Sequence, residues 1–313
     1  MRYALVFSGQ GTQHAAMLPW LADTPLLQAM AQTLDCTDWR AALADPAWAR
    51  TNRHAQPLLT ATGLAAWAQL KTQLEEEFNT QGTHLPPPSA VAGYSVGELA
   101  AYAAAGVYDD TTALQLAARR AQLMDDCARH QPGGLLAVSG LASNALATLV
   151  QAAGAHVAIV NAPDAWICGG PHAALATLQD RASAAGAHCT PLAVEVASHT
   201  PLLADAAQAF SVELQATPCQ PPRLHLASNA GGRIASAQDA RQALARQISH
   251  TVQWQDCMQE LYERQVSCVL EIGPGQALAR LWNQRYPDMP ARSADEFRST
   301  QAIARWLVRQ LGD

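Results

Sequence analysis

Short apolar runs alternate along the chain with longer stretches rich in alanine and leucine, and this alternation predicts an α/β protein. The first apolar run, residues 3–7, is typical of a buried strand, and Gly9-Gln10-Gly11 predicts a tight turn directly after it. In order, the first part of the chain is predicted to form a strand over 3–7, a helix over about 57–78, a strand over 89–93, and helices over 98–105 and about 111–128.

The pattern changes after Pro132-Gly133-Gly134, where strands become more frequent. The β-α-β-β-α-β order found there is that of a ferredoxin-like module, which predicts a small subdomain over residues 134–196, inserted into a larger domain. Alternatively, the same strands extend one large sheet, and the pattern leaves this possibility open. The elements behind the prediction are strands over 135–139, 156–160, 165–168 and 189–196, and helices over 143–153 and 171–185.

Strand and helix patterns alternate again beyond this insert. Such alternation predicts a mainly parallel sheet. We therefore expect residues 1–133 and 197–313 to form one large α/β domain around the insert. The predicted elements are helices over 202–216, about 237–248 and about 252–264, strands over 223–228 and 267–272, and a closing helix.

Composition and charge narrow the function classes. The 313 residues are 49% hydrophobic and 15% charged, which is typical of a globular enzyme. A net charge of -6 without a cluster of basic residues argues against nucleic-acid binding. No apolar run reaches the roughly 18 residues of a membrane span, and the apolar N-terminal run is too short for a signal peptide. The seven scattered cysteines contain no C-x-x-C pair, which favours reduced thiols in a cytoplasmic protein over disulfides or a metal site.

The segment Gly93-Tyr94-Ser95-Val96-Gly97 matches the nucleophile-elbow pattern G-x-S-x-G. The predicted strand before it and the predicted helix after it supply the context that the pattern requires, although the pattern alone also describes an ordinary turn of small residues. In an elbow, the serine hydroxyl is exposed at the edge of the sheet, and the helix N-terminus favours a developing oxyanion there. We therefore predict that Ser95 is a nucleophile that carries an acyl group.

A serine hydroxyl needs a base, and His199 is the best placed of the ten histidines. It follows a predicted strand that ends near residue 197, where catalytic loops collect, whereas His14 near the first glycine turn is a weaker candidate. No acidic residue between Ser95 and His199 lies at a predicted strand end. We therefore expect a Ser-His dyad in which a group other than a carboxylate, for instance a backbone carbonyl, orients the histidine.

The turn Gly9-Gln10-Gly11 follows a strand, as a dinucleotide-binding G-x-G-x-x-G motif would, but residue 14 is histidine and the motif fails. The remaining interpretation is a tight turn at the sheet edge. Its Gln10, through the backbone or the side chain, could then donate to an oxyanion together with the Val96 N–H.

Four segments together resemble the malonyl-CoA:acyl-carrier-protein transacylase family. They occur in the family's order and span nearly the whole chain: Phe7-Ser8-Gly9-Gln10-Gly11-Thr12-Gln13, Gly93-Tyr94-Ser95-Val96-Gly97-Glu98, Ser198-His199 and Glu271-Ile272-Gly273-Pro274-Gly275. The resemblance implies an α/β-hydrolase-like core with a ferredoxin-like insert. It also implies that Ser95 is acylated, that His199 is the base, and that Gln10 and Val96 form the oxyanion hole.

The resemblance implies further site residues. Arg120 matches the family's arginine for the free malonyl carboxylate, a task that suits the bidentate guanidinium, and Met124 lies beside it. Asn161 matches an asparagine of the insert that faces the acyl site. The carbonyl that orients the histidine is placed loosely near Gln265. The chain departs from the family at Tyr94, where histidine is usual, and at Ser8, where proline is common.

The opening from Gly9 to Leu18 is most similar to the transacylase subunit of malonate decarboxylase. This similarity implies malonyl-CoA as the substrate, no further cofactor, and as acceptor a carrier protein bearing a CoA-derived thiol arm, with other decarboxylase subunits as partners. A transacylase of fatty-acid synthesis is the alternative. A serine esterase or thioesterase and a silent carrier-docking subunit are less favoured, because Arg120, Ser95 and His199 are all present.

Overall fold

The computed structural model describes residues 2–80 and 82–312. Its strands are β1 (Tyr3–Phe7), β2 (Ala90–Gly93), β3 (Gly134–Ser139), β4 (His156–Ala162), β5 (Ala165–Gly170), β6 (His188–Pro191), β7 (Leu226–Ala227), β8 (Cys268–Ile272) and β9 (Ala291–Ser293). Its α-helices are α1 (Pro25–Thr33), α2 (Trp39–Ala42), α3 (Pro46–Arg50), α4 (Asn52–Thr80), α5 (Gly97–Ala104), α6 (Asp110–His130), α7 (Ser143–Ala153), α8 (His172–Ala184), α9 (Ala204–Ala216), α10 (Ala237–Arg246), α11 (Trp254–Glu263), α12 (Ala277–Arg285) and α13 (Thr300–Gly312).

The large sheet is parallel and has the order β7-β2-β1-β8-β9. Every residue of β1, β2 and β8 is buried, which explains why their sequences are runs of apolar or small residues, interrupted only by Glu271, rather than alternating ones. The helices cover both faces of the sheet. The predicted α/β fold is therefore confirmed, and the carboxyl ends of β1, β2 and β8 lie side by side at one edge.

The strands of the insert form a separate antiparallel sheet with the order β4-β5-β3-β6. This order and the two helices α7 and α8 are those of a ferredoxin-like module. The alternative of one continuous large sheet is wrong. The predicted domain boundaries at 134 and 196 stay a prediction, while the antiparallel sheet itself extends from Gly134 to Pro191.

The strand predicted over 189–196 is shorter in the structure, where β6 ends at Pro191. Its partner β3 begins at Gly134, so the ladder runs out after Leu192, whose N–H donates to the Leu135 carbonyl at 2.9 Å. Residues 192–200 are consequently a loop, and His199 lies in this loop rather than directly after a strand.

Several short elements were not predicted from the pattern. They are α1, α2, α3 and the edge strand β9, while β7 has two residues where a strand over 223–228 was expected. The helices α1 and α3 begin with Pro25 and Pro46, each after a capping residue, Thr24 or Asp45, so a start signal was available. Within the described ranges, no helix has the length and apolar character needed to cross a bilayer.

Candidate active site

One cleft of about 230 Å³ lies where the carboxyl ends of the central strands face the small sheet. The turns after β1 and β2 form one side, and β4 with the loop after β6 forms the other. This cleft is lined by all seven site residues that were predicted from the sequence. They are Gln10, Ser95, Val96, Arg120, Met124, Asn161 and His199.

Ser95 occupies a sharp turn between β2 and α5 with a φ of 54°, in the left-handed region that is uncommon for a residue other than glycine. The two flanking glycines are required by close backbone approaches. A Cβ on Gly93 would lie 2.1 Å from the Gly97 carbonyl carbon, and a Cβ on Gly97 would lie 2.3 Å from the Phe7 carbonyl oxygen. The predicted elbow geometry is therefore present.

The side chains of Ser95 and His199 are in direct contact. The Ser95 Oγ lies 2.7 Å from His199 Nε2, and His199 Nδ1 lies 2.7 Å from the Gln247 carbonyl oxygen. With Nδ1–H donating to that carbonyl, Nε2 is left with a lone pair directed at the Ser95 hydroxyl. A backbone carbonyl in the acid's place agrees with the expectation, but it belongs to Gln247, and the placement near Gln265 is wrong.

Burial, and secondarily the positive charge of Arg120, lower the pKa of His199 from 6.5 to about 3. The imidazole is almost completely excluded from solvent, which disfavours its charged form. At neutral pH it is therefore an uncharged hydrogen-bond acceptor for the serine hydroxyl.

Arg120, on α6, is buried with its guanidinium held by two glutamines. Its Nη1 donates to Gln56 Oε1 at 2.7 Å and its Nη2 donates to Gln247 Oε1 at 2.8 Å. The Nε–H has no hydrogen-bond partner among the described residues, and no carboxylate there forms an ion pair with Arg120. Burial lowers its pKa to about 10, so the group stays cationic at neutral pH.

Met124 and Asn161 complete the lining that the resemblance implied. Met124 lies one helical turn beyond Arg120, and its sulfur accepts a hydrogen bond from Gln56 Nε2 at 3.5 Å. The Tyr94 hydroxyl donates a hydrogen bond of 3.0 Å to Oδ1 of Asn161, near the end of β4. The tyrosine that departs from the family pattern thus connects the elbow to the insert.

The oxyanion donors predicted at Gln10 and Val96 can only be the backbone groups. The Gln10 side chain donates from Nε2 to the Arg50 carbonyl at 2.9 Å, so its amide is engaged elsewhere. In the described part of the chain, the backbone N–H groups of Gln10 and Val96 have no acceptor. Both border the cleft beside Ser95, where two free N–H groups suit a developing negative charge.

A family model described as the acyl transferase domain matches residues 4–307. The chain belongs to the acyl transferase family. It is 31% identical over 304 residues to the malonyl CoA-acyl carrier protein transacylase of Escherichia coli K12, which covers 94% of this chain and 96% of the relative. The corresponding protein of Haemophilus influenzae is 29% identical over 322 residues, covering 98% and 99%.

Solved structures of acyl transferase family proteins share the fold. An acyl-carrier-protein S-malonyltransferase from Burkholderia pseudomallei matches with a TM-score of 0.85 and 26% identity, covering 97% of this chain and all of that chain. A malonyl-transacylase in complex with its type II polyketide synthase acyl-carrier protein matches with a TM-score of 0.85 and 27% identity over the full length of both chains. The chain is thus an acyltransferase with the fold of these proteins.

Sequence reasoning missed several residues that shape this acyl transferase site. Gln247 and Gln56 orient Arg120, and the buried Glu271 accepts hydrogen bonds from the Ser8 hydroxyl at 2.9 Å and the Ala279 N–H at 2.9 Å. Ser8, which replaces a common proline, therefore fastens the turn after β1 to the end of β8. Gln247 follows α10 outside any motif, so no local pattern could have indicated it.

Proposed function

We propose that this acyltransferase moves a malonyl group from malonyl-CoA to the thiol of an acyl-carrier protein through a malonyl-Ser95 intermediate. The observation that carries the proposal is the position of Arg120, a buried cation without a carboxylate partner in the described chain, in the same cleft as the Ser95-His199 pair. A carboxylated acyl group would supply the missing anion. The relatives named as malonyl transacylases support the same substrate.

The first half of the reaction forms the acyl-enzyme. His199 Nε2 takes the hydroxyl proton as Ser95 Oγ attacks the thioester carbonyl carbon, and the N–H groups of Gln10 and Val96 hold the oxyanion. As the intermediate collapses, the C–S bond breaks and His199 returns the proton to the departing CoA sulfur. The malonyl group is then linked to Ser95 Oγ as an ester.

The second half repeats these steps in reverse with a different thiol. The carrier's thiol gives its proton to His199, its sulfur attacks the malonyl-Ser95 ester, and the proton passes to the Ser95 oxygen as the ester bond breaks. The net reaction moves one malonyl group from the CoA thiol to the carrier thiol without hydrolysis. The kinetics expected from this sequence are ping-pong.

For the acceptor, we propose the carrier subunit of malonate decarboxylase, whose thiol arm derives from CoA. The support is the opening from Gly9 to Leu18, which resembles the transacylase subunit of that enzyme. The acyl-carrier protein of fatty-acid synthesis is the alternative, and relatives named as malonyl CoA-acyl carrier protein transacylases support it equally.

Intact-mass measurement after brief exposure to malonyl-CoA tests the intermediate. We expect one malonyl group on Ser95, none on Ser95→Ala, and loss of the group when a carrier thiol is added. An unmodified Ser95 in the wild type would contradict the covalent mechanism, and rapid loss of the group to water without a carrier would instead indicate a thioesterase. Parallel additions of the two carrier proteins identify the acceptor by the faster discharge.

A further inference from the structure

Asn229 lies directly beside the elbow although no motif includes it. The short strand β7 runs parallel to β2, with Ala227 opposite Ala92, so the residues after each strand leave the sheet as neighbours. Asn229 follows β7 by two positions and is completely buried. Its side chain therefore has only protein groups to bond with.

Three hydrogen bonds of this asparagine are made to the elbow or to the helix that follows it, while its carbonyl accepts the Gln253 N–H at 2.9 Å and its Nδ2 also contacts Cys257 Sγ at 3.7 Å. Its Oδ1 accepts the Ser95 N–H at 2.9 Å, and its Nδ2 donates to the Gly93 carbonyl at 2.7 Å. Its own backbone N–H donates to Oε1 of Glu98 at 2.7 Å, in the first turn of α5. One residue thus holds the chain on both sides of Tyr94 and again beyond Ser95.

The hydrogen bonds of Asn229 act on Ser95, whose backbone is strained. A non-glycine residue at a φ of 54° persists only where its surroundings leave it no better conformation. The Ser95 N–H is fixed by Asn229, and the Ser95 carbonyl accepts a hydrogen bond from Gln247 Nε2 at 2.6 Å. Both backbone polar groups of Ser95 are therefore held by side chains, which leaves oxyanion binding to the free N–H groups of neighbouring residues.

We infer that Asn229 is a positioning residue that holds Ser95 in its strained conformation, so that Oγ meets His199 Nε2. An amide suits this task because one planar group offers an acceptor to Ser95 and a donor to Gly93. An aspartate would keep the acceptor and lose the donor, and an alanine would lose both. The inference rests on the proposed role of Ser95 as an acyl carrier.

The test compares Asn229→Ala with Asn283→Ala in single-turnover acylation by malonyl-CoA. Asn283 is a control matched in hydrogen bonding, although it is exposed, since its side chain also bonds a backbone carbonyl and a backbone N–H, both of Ala291, at 2.9 and 2.8 Å, and it does not line the cleft. A misplacement near 1 Å costs about 100-fold in rate, so we expect Asn229→Ala to lower the maximal acylation rate by about that factor. The half-saturating malonyl-CoA concentration should change little, and Asn283→Ala should acylate like the wild type.

Asn229→Asp keeps the shape of the side chain and serves as a second variant. We expect its maximal rate to fall as well, because its second oxygen faces the Gly93 carbonyl without a proton to donate. Wild-type rates in either folded variant would overturn the inference, as would a loss of folded protein in both variants with Asn283→Ala intact. A wild type that forms no malonyl-Ser95 would instead contradict the proposed function.

Discussion

The charged guanidinium of Arg120 is buried away from water, and the side chains that hold it in place are neutral. Gln56 and Gln247 each accept one N–H of the guanidinium, which leaves the Nε–H and the remaining Nη protons for an incoming anion. A nearby carboxylate would neutralise the group, but burial raises the pKa of Glu98 to about 8, so this carboxyl is mostly protonated at neutral pH. The Arg120 guanidinium therefore keeps its positive charge without an ionised Glu98 beside it.

Arg120→Ala should remove the preference for malonyl-CoA over acetyl-CoA. A hydrogen bond to a charged group contributes about 1.5–3 kcal/mol, so kcat/KM for malonyl-CoA should fall about 10- to 100-fold, with a much smaller change for acetyl-CoA. Arg119→Ala is the control, because Arg119 lies on the same helix but is partly exposed and pairs with Glu213 at 3.2 Å. Wild-type selectivity in Arg120→Ala would contradict the carboxylate-binding role.

At this scale, the sequence was most informative where chemistry is carried by side chains in local motifs. Ser95 could be predicted from the glycines around it, and His199 from the scarcity of better-placed histidines. Arg120 was indicated only by resemblance, because an arginine on a helix is usually solvated. The carbonyl of Gln247 could not be predicted, since every residue has a carbonyl and only the fold brings this one to the imidazole.

The strand–turn–helix unit β2-Ser95-α5 depends on how closely its backbone can approach itself. A side chain at residue 93 would meet the Gly97 carbonyl carbon at 2.1 Å, an obstacle that cannot rotate away as a flexible side chain would. By contrast, a Cβ on Gly63 in α4 would first meet the Phe7 ring at 3.4 Å, which is ordinary contact. A comparison of alanine substitutions at Gly93 and Gly63 therefore separates the steric requirement of the elbow from the general effect of adding a methyl group.

Gly93→Ala should destabilise the protein and displace Ser95. Forcing an extra carbon into a packed site costs about 1–3 kcal/mol, and the upper end applies here because backbone must move. Urea denaturation should show this loss, and acylation of Ser95 should fall with it. Gly63→Ala should remain within about 1 kcal/mol of the wild type, since alanine favours a helix over glycine. Equal stability of the two variants would contradict the steric requirement.

Helices and strands with a strong hydrophobic pattern could be predicted from the sequence. Strands whose ends are set by a neighbouring strand could not. The helices α5 and α6 begin and end within a few residues of the prediction, because caps and buried faces fix them locally. The end of β6 depends on where β3 begins, and the three-residue β9 exists only because β8 offers it an edge. The end of such a strand is therefore set by its partner strand and cannot be predicted from its own sequence.

At the scale of the whole molecule, β4 of the insert is joined to Val252, in the segment between α10 and α11, beside the active-site cleft. The Val252 N–H donates to the Ala158 carbonyl and the Val160 N–H donates to the Val252 carbonyl, each at 2.9 Å. This places a strand of the insert against the core segment that carries Gln247. The sequence predicted that an insert exists but not how it docks, because docking rests on backbone hydrogen bonds and on a buried apolar cluster, with Ile159 and Trp254 among its members, that join residues far apart in the chain.

The stability of the molecule should depend on pH through its buried carboxyl groups. Burial raises the pKa of Glu98 from 4.5 to about 8 and that of Glu271 to about 7. The folded state keeps these protons over a pH range in which the unfolded chain releases them, so their contribution to stability falls as pH rises from about 4.5 to 8. His199 acts in the opposite direction, because its lowered pKa reduces stability as pH falls below 6.5.

Glu98→Gln should isolate the largest of these contributions. The glutamine Oε1 can still accept the Asn229 N–H, and the amide has no proton to release on unfolding. The free energy of unfolding of the wild type, measured in urea between pH 5 and 8.5, should therefore decline relative to that of Glu98→Gln as pH rises. Glu213→Gln, at an exposed ion pair, should follow the wild type. Parallel curves for the wild type and Glu98→Gln would mean that Glu98 ionises in the folded protein much as it does in the unfolded chain.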